Sequence, residues 1–168
     1  MRITFPDYTG QQYVAAALRL ALGWTFIWAF FDKLLGLGHA TASESAWING
    51  GSPTSGFLSY AATGPLAGFY QDLAGSAAVD TLFMLGLLGL GVALILGIGM
   101  RVAAVSGAAL MLLMWSSRLP PENNPVLDDH IVYMFALILL ALIGAGRWLG
   151  LGSWWSKQSL VKRFPMLE

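Results

Sequence analysis

The side chains best suited to chemistry in this sequence form the run Asp128-Asp129-His130, directly before an apolar stretch. Histidine gains and loses protons near neutral pH, so His130 with Asp129 is a candidate proton donor and acceptor. Asp128 is expected to cap the first turn of a helix, and Asp129 suits the positive end of that helix dipole. The alternative for His130 is an interfacial histidine that only bonds a nearby carboxylate.

Arg19 is a second candidate, because it lies within an apolar stretch where a charged group is costly to bury. There it could make the polar contact of a ligand bound deep among the helices. The alternative is an arginine whose guanidinium extends back to the polar headgroups, since it stands only a few residues after a polar leader.

Lys33 and Arg118 are candidates for binding an anionic substrate. Each ends an apolar stretch, so both charges are expected on the same face of a helical bundle as Asp128-Asp129-His130. Asp80 opens a further apolar stretch at this face, where we expect it to have a structural role. The alternative for Arg118 is an anchor on lipid headgroups.

The segment 47–57 is a candidate substrate-binding loop. Gly50 and Gly51 can adopt backbone conformations closed to other residues, and could present N–H groups to an anion. Asn49 and Ser52 add polar groups beside these glycines. An ordinary turn has the same composition, so that alternative stays open. The two aromatic residues that bound the segment, Trp47 and Phe57, are candidates for packing or for contact with a neighbouring protein.

Metal ions, haem and nucleic acid are not expected as ligands. The sequence has no cysteine and only two histidines, His39 and His130, which stand in different connections. This leaves too few donors for a zinc site, a haem or an iron–sulfur cluster. The formal net charge is zero, whereas a surface that binds nucleic acid needs an excess of basic residues.

Four apolar stretches must position these residues, and the composition indicates that they lie in a membrane. Hydrophobic residues make up 57% of the chain and charged residues 11%, against roughly 25% charged in a typical globular domain. A helix needs about 20 apolar residues to cross a bilayer. We therefore expect an all-α, polytopic membrane protein with one domain, 1–168. Its four-transmembrane-helix bundle is predicted at 11–37, 79–98, 101–117 and 129–149.

The longest connection, 38–78, is expected to be an outer loop that contains a short interfacial helix. Pro65 suits the first turn of that helix, since its fixed φ and missing N–H cost nothing there. Four apolar residues then recur at helical spacing: Leu66, Phe69, Tyr70 and Leu73. This pattern predicts one apolar stripe lying on the membrane surface.

The basic residues predict how the bundle is oriented in the cell membrane. With a cytoplasmic N-terminus, the residues on the inner side are Arg2, Arg101, Arg147, Lys157, Lys162 and Arg163. Lys33 and Arg118 then lie outside. Because cytoplasmic segments carry the excess of Lys and Arg, we expect a multi-pass protein with both termini in the cytoplasm. Glycine-rich helix faces would also permit a homodimer.

Segments 47–57, 64–65 and 123–133 resemble the DoxX superfamily. The first helix, with its pattern from residue 19 to residue 33, is also similar to that family. Within the superfamily the chain looks most like the DoxD-type branch, the membrane subunit of thiosulfate:quinone oxidoreductase. The resemblance covers roughly residues 13–148.

This resemblance implies a four-helix membrane bundle that oxidises thiosulfate, or a related sulfur anion, and passes the electrons to a membrane quinone. It also implies a DoxA-like second subunit as partner. The candidate cations and the glycine turn would offset the repulsion between two thiosulfate dianions. His130 with Asp129 would serve the quinone, or Arg19 if the quinone lies deeper.

Two other functions remain open on the sequence. The chain is also consistent with a non-catalytic accessory or scaffold subunit of a larger membrane complex, which would bury Trp47 and Phe57 against a neighbour. A conductor of small anions or protons would place Arg19 in its path, but the helices hold few other polar residues. Arg19 within an apolar stretch and the Asp-Asp-His run favour an enzyme, and the lack of a recognisable redox centre favours the scaffold.

Overall fold

The structure, a computed structural model, describes residues 8–168. Within that range the chain is helical and contains no β-strand, which confirms the predicted all-α class. The α-helices are α1 (Gly10–Leu35), α2 (Ala67–Asp72), α3 (Ala77–Leu96), α4 (Met100–Ser116), α5 (Asp129–Leu142), α6 (Gly152–Trp155) and α7 (Ser159–Arg163).

Local sequence signals determine where these helices begin and end. Thr9 and Gln12 form a capping box before α1: the Thr9 hydroxyl accepts from the Gln12 N–H at 3.4 Å, and the Gln12 side chain accepts from the Thr9 N–H at 2.9 Å. Gly36 ends α1 and Gly97 ends α3, both with positive φ, which an L residue adopts only at a cost. These helices therefore have starts and stops that the sequence encodes.

The last of the four predicted helices is shorter than expected. It was placed at 129–149, whereas α5 ends at Leu142. Gly144 adopts a left-handed conformation with φ of 68°, and a 3₁₀ turn, Ala145–Arg147, follows. The apolar run continues past the end of α5 as far as Gly146, so hydrophobicity alone could not reveal the break.

Small residues bring the longer helices close together. A side chain at Gly91 of α3 would come within 2.9 Å of the Ile27 backbone of α1, and one at Gly23 would come within 3.0 Å of Ile95. On the other side, Gly107 of α4 faces Leu137 of α5. The core between these helices includes Met84, Leu94, Leu137 and Leu140, each at most 1% exposed.

The helices run antiparallel, which defines two ends of the bundle. At the loop end lie residues 36–76 and 117–128, joined where the Thr63 N–H donates to the Ser117 carbonyl at 2.9 Å. At the C-terminal end lie residues 97–99 and 143–168, joined where the Leu151 N–H donates to the Leu96 carbonyl at 2.8 Å.

Two helices, α1 and α3, are long and apolar enough to cross a membrane. The other two apolar helices, α4 and α5, have 17 and 14 residues. The outward faces of all four carry exposed large apolar side chains, among them Val14, Leu82, Leu85, Val105, Val132, Phe135 and Leu142.

The loop 38–78 contains several short helical segments. They are 3₁₀ turns at Ser43–Ser45, Trp47–Asn49 and Gly64–Leu66, a π-helical turn at Phe57–Ala61, and α2. The predicted single stripe on α2 is not formed as expected. Tyr70 is buried against Leu58 and Ala62, and its hydroxyl lies 2.7 Å from Ser116 Oγ, whereas Phe69 remains exposed. Tyr70 thus ties this helix to the bundle.

Candidate functional site

A cleft of about 360 Å³ opens at the loop end, between the 117–128 connection and the first turn of α5. Nine residues line it: Arg118, Pro121, Glu122, Asn123, Asn124, Leu127, Asp128, Asp129 and His130. Two hydrogen bonds shape the connection, because Trp115 Nε1 donates to the Val126 carbonyl at 2.9 Å and Asn124 Oδ1 accepts from the Val126 N–H at 3.0 Å. The cleft is therefore a folded feature of this connection.

Asp128 and His130 form a hydrogen-bonded pair beside the cleft. His130 Nδ1 lies 2.8 Å from Asp128 Oδ2. Asp128 Oδ1 accepts from the backbone N–H of His130 at 3.1 Å and of Ile131 at 3.4 Å, so the same carboxylate is the N-cap of α5. When that carboxylate is ionised it only accepts, so Nδ1 is the donor, and Nε2 makes no hydrogen bond to any of residues 8–168 and is open to proton exchange.

The partner of His130 differs from the one expected. The sequence paired His130 with Asp129, but the Asp129 carboxylate lies 3.6 Å from Nδ1 and its side chain is 72% exposed. Asp128 is both closer and more buried, because an N-cap points its carboxylate back over the first turn of its helix. The same Asp128 carboxylate thus caps the helix and orients the His130 ring.

The three side chains also stand close enough to share a cation. One ligand atom from each of Asp128, Asp129 and His130 lies within 4.8 Å of the others. Exposed acidic groups of this kind commonly occur without a metal ion. The expectation that this chain binds no metal or haem therefore stays a prediction.

The cleft carries more negative than positive charge. Arg118 is the only arginine or lysine in its lining, and Glu122, Asp128 and Asp129 are carboxylates. Arg118 also forms an exposed ion pair with Glu122, with 3.6 Å between NH2 and Oε2. A dianion that enters here gains one guanidinium and meets three carboxylates. Arg118 is placed where an anion-binding role needs it, but it is not sufficient for that role.

The other substrate-binding candidates lie outside the cleft lining. Lys33 is half-buried in the last turn of α1, next to Asp32, whose buried carboxylate accepts from the His39 N–H at 3.2 Å and the Ala40 N–H at 3.0 Å. Asn49 donates from its side chain to the Ser43 carbonyl at 2.8 Å. Neither residue is brought to His130.

The glycine turn does not form the expected anion nest. The Gly50 N–H donates to the Trp47 carbonyl and the Gly51 N–H to the Ala46 carbonyl, both at 3.0 Å, so neither is free for a ligand. Gly51 also packs against the Ser45 carbonyl, where any side chain would clash. The two glycines close a 3₁₀ turn, which is the ordinary alternative left open by the sequence.

Ser52 and Asp80 belong to a structural polar cluster. Asp80, 5% exposed near the start of α3, accepts from Ser52 Oγ at 2.9 Å, from the Thr54 N–H at 3.1 Å and from Thr54 Oγ1 at 2.6 Å. This fastens the loop to the bundle. The structural role expected for Asp80 thus has defined partners, and Ser52 serves it instead of a substrate. Thr54, which the sequence did not single out, supplies two of the three bonds.

Arg19 is enclosed by backbone carbonyls. Its side chain is 0% exposed and donates to the carbonyls of Leu94, Ile95, Trp148 and Leu149. The first two are among the last carbonyls of α3, which helix geometry leaves without an intrahelical partner. Among the buried side-chain nitrogen and oxygen atoms of residues 8–168, only Arg19 Nε makes no hydrogen bond. This placement explains why an arginine is buried here, and it does not support contact with a deep ligand.

No protein-family model, curated protein or solved structure matches this chain. The chemistry of the site therefore follows from its own residues.

The aromatic candidates for contact with a neighbour pack within the chain instead. Trp47 is half-buried against the main core, and Phe57 packs against the small cluster around Leu58 and Tyr70. The large apolar side chains that the loop end does expose include Ile48, Tyr60 and Phe69, with Tyr60 89% exposed. The small and polar residues around all five side chains are alike. The sequence therefore does not indicate that Ile48, Tyr60 and Phe69 are exposed while Trp47 and Phe57 are packed.

Proposed function

We propose that this chain is a multi-pass membrane protein in which α1, α3, α4 and α5 are the four spans. The exposed apolar side chains on the outward faces of these helices support the proposal. A helix on the surface of a water-soluble bundle would carry charged or polar groups there. On α3, the outward positions are occupied by Leu82, Leu85 and Val92.

The lengths of the two shorter helices are compatible with this arrangement. At about 1.5 Å per residue, the 17 residues of α4 cover roughly 25 Å, near the lower limit for a span. The apolar run of α5 continues beyond the helix as far as Gly146, within the 3₁₀ turn Ala145–Arg147. The basic residues at the C-terminal end favour placing that end, and both termini, in the cytoplasm.

We propose further that the protein is the membrane subunit of an enzyme that oxidises a sulfur anion and reduces a quinone, as its DoxD-type sequence resemblance implies. The observation that carries this proposal is the Asp128–His130 pair beside an open cleft. An imidazole fixed through Nδ1 by a carboxylate, with Nε2 left free, is a frequent arrangement for proton transfer.

The proposed reaction needs protons as well as electrons. Two thiosulfate dianions lose two electrons to form tetrathionate, and a quinone takes up those electrons with two protons to form a quinol. His130 would hold one proton at Nε2, and Asp128 would stabilise the charged imidazolium. Asp129, exposed at the rim, is suited to passing protons from water.

The charge balance of the cleft favours a second subunit. Three carboxylates beside Arg118 would repel a thiosulfate dianion, so further positive charge has to come from a partner. A DoxA-like subunit covering the loop end could supply it, and could also hold the electron carrier. In a homodimer, a second copy of this chain would cover the loop end instead. With no cysteine and two histidines, this chain itself offers few ligands for such a carrier.

The proposal is tested by thiosulfate-dependent reduction of a quinone analogue, measured on protein purified gently from its native membrane with any bound subunits. Removing a general acid–base group costs roughly 100-fold or more, so we expect that loss in His130→Gln. His39→Gln is the matched control, because His39 is an exposed histidine outside the cleft. Equal turnover of the two variants would contradict the proton role of His130.

A scaffold subunit is the second candidate function. The exposed Ile48, Tyr60 and Phe69 favour it, because aromatic and aliphatic side chains on a rigid loop are typical of protein contacts. In that case the native preparation should contain a stoichiometric membrane complex and show no quinone reduction. Substituting Tyr60 by Ser should then release the chain from the complex and leave its own stability unchanged.

A further inference from the structure

We infer that the C-terminal end of the bundle is a binding surface for the headgroups of anionic phospholipids. This inference rests on the proposed membrane location, and it concerns the end of the molecule opposite the cleft. It specifies which lipid the protein selects, which the four-span arrangement by itself does not.

The surface is a folded part of the molecule. Gly152 of α6 and Val161 of α7 are buried, and the Leu151 N–H donates to the Leu96 carbonyl at 2.8 Å. The Arg101 N–H donates to the Glu168 carbonyl at 2.9 Å, which fixes the far end of the segment below α4. The segment 150–168 is thus held against the ends of the spans.

Its outward side is apolar and aromatic. The exposed side chains of the segment include Leu151, Trp154, Leu160, Phe164 and Met166, each about half exposed or more. Gly152 and Val161 are buried against the bundle, so these exposed apolar side chains lie on the outer side, as in a short segment in the interface of a bilayer. Trp154 is suited to that depth, since its ring is apolar and its N–H is polar.

The charges beside these side chains are positive and unpaired. Lys157, Lys162 and Arg163 are exposed and form no ion pair within residues 8–168. The only acidic side chain in residues 143–168 is that of Glu168, which is already bound to Arg101, at 3.0 Å, and to Arg147. Glu168 is therefore engaged by two other cations, and Lys157, Lys162 and Arg163 are left without a carboxylate partner among the described residues.

A surface with exposed apolar side chains and three cations that form no ion pair within residues 8–168 matches a negatively charged phospholipid. The acyl chains would contact the exposed Leu and Phe side chains, and the phosphate and headgroup charge would meet Lys157, Lys162 and Arg163. The Arg163 guanidinium already lies 5.5 Å from the centre of the Phe164 ring, so its charge is held next to the apolar contact. A zwitterionic headgroup offers no net charge to balance these cations.

The test uses the full-length protein in nanodiscs of phosphatidylcholine with 30% phosphatidylglycerol, so that both leaflets carry the same lipid. Either lipid is supplied with brominated acyl chains, and quenching of Trp154 is isolated by subtracting the Trp154→Phe variant. The readout is the ratio of quenching by brominated phosphatidylglycerol to quenching by brominated phosphatidylcholine at equal fraction. We expect wild type to prefer phosphatidylglycerol, and each neutralised cation to lower relative association about fivefold.

The triple variant Lys157→Gln/Lys162→Gln/Arg163→Gln should lose the preference, and the double variant Lys33→Gln/Arg118→Gln, at the loop end, should keep it. Raising the salt should weaken the wild-type preference. Insertion without any preference, or a preference kept by the triple variant, would overturn the inference while leaving the membrane proposal intact. Protein that enters no nanodisc would overturn both.

Discussion

His130 and Asp128 share a hydrogen bond of 2.8 Å between Nδ1 and Oδ2, while Oδ1 of the same carboxylate caps α5. One side chain therefore performs two tasks that a single substitution can separate. Asparagine caps a helix about as well as aspartate does, but its neutral amide stabilises an imidazolium poorly.

Asp128→Asn should consequently fold normally and lose activity. We expect unfolding free energy within about 0.5 kcal/mol of wild type, with quinone reduction lowered roughly 10- to 100-fold. Asp128→Ala should lose the cap as well, at a cost of about 1 kcal/mol. Asp129→Asn is the control, because Asp129 is exposed and lies 3.6 Å from Nδ1. A larger loss in Asp129→Asn than in Asp128→Asn would reverse the assignment.

Arg118 and Glu122 should affect substrate affinity in opposite directions. Arg118→Gln removes the cleft's guanidinium, so we expect a KM for thiosulfate about tenfold higher with little change in kcat. Glu122→Gln removes the partner that lies 3.6 Å from Arg118, and should lower KM. Steady-state kinetics at low and high salt would check this. A similar KM in all three proteins would show that thiosulfate binds elsewhere.

Arg19 should matter for folding and not for a reaction. Replacing it with Met leaves the carbonyls of Leu94 and Trp148 without a donor in a buried site. Each bond to a charged donor contributes about 1.5–3 kcal/mol, and partial relaxation would leave a loss of roughly 2–4 kcal/mol. Thermal unfolding in detergent measures it. Thr25→Ala is the control on the same helix, since Thr25 is exposed and bonds only to its own helix. A normally stable Arg19→Met protein without activity would restore a functional role for Arg19.

Asp80 should control the order of the loop between residues 50 and 56. Asp80→Ala removes the acceptor of three hydrogen bonds from Ser52 and Thr54, so limited proteolysis should cut this loop faster, and stability should fall by about 1–3 kcal/mol. Thr81→Ala provides the control, because its hydroxyl donates only within α3. Unchanged cleavage would mean that other contacts hold the loop.

Two glycines on α3 should respond differently to alanine. A methyl group at Gly91 would lie 2.9 Å from Ile27 of α1, whereas nothing lies within 4 Å of one at Gly89. Gly91→Ala should therefore destabilise the α1–α3 contact by about 1–3 kcal/mol, since closely packed interfaces tolerate added volume poorly. Gly89→Ala should be neutral or slightly stabilising, because alanine favours the helix. Thermal unfolding of both variants measures the two changes in stability. Equal changes would contradict the close contact of Gly91 with α1.

The sequence by itself determined the parts of this protein that depend on neighbours along the chain. The apolar runs predict the four longer helices, and hence the all-α class, because hydrophobicity and helical spacing are local properties of the chain. Pro65 and the residues after it indicate a helix, and α2 follows the Gly64–Leu66 turn. The N-cap role of Asp128 is equally local, because its partners are the N–H groups two and three residues later.

The tertiary structure decided which of the polar residues meet. The partners of Arg19 lie 75 to 130 residues away, and those of Asp80 lie 26 and 28 residues away, distances at which no spacing rule operates. The Gly50 and Gly51 N–H groups, by contrast, bond to carbonyls three and five residues earlier, in the ordinary turn that the sequence left open as an alternative. A polar side chain or N–H group in an apolar environment bonds to whichever partner the packed helices bring near. Packing therefore made Arg19 structural and left His130 beside an open cleft.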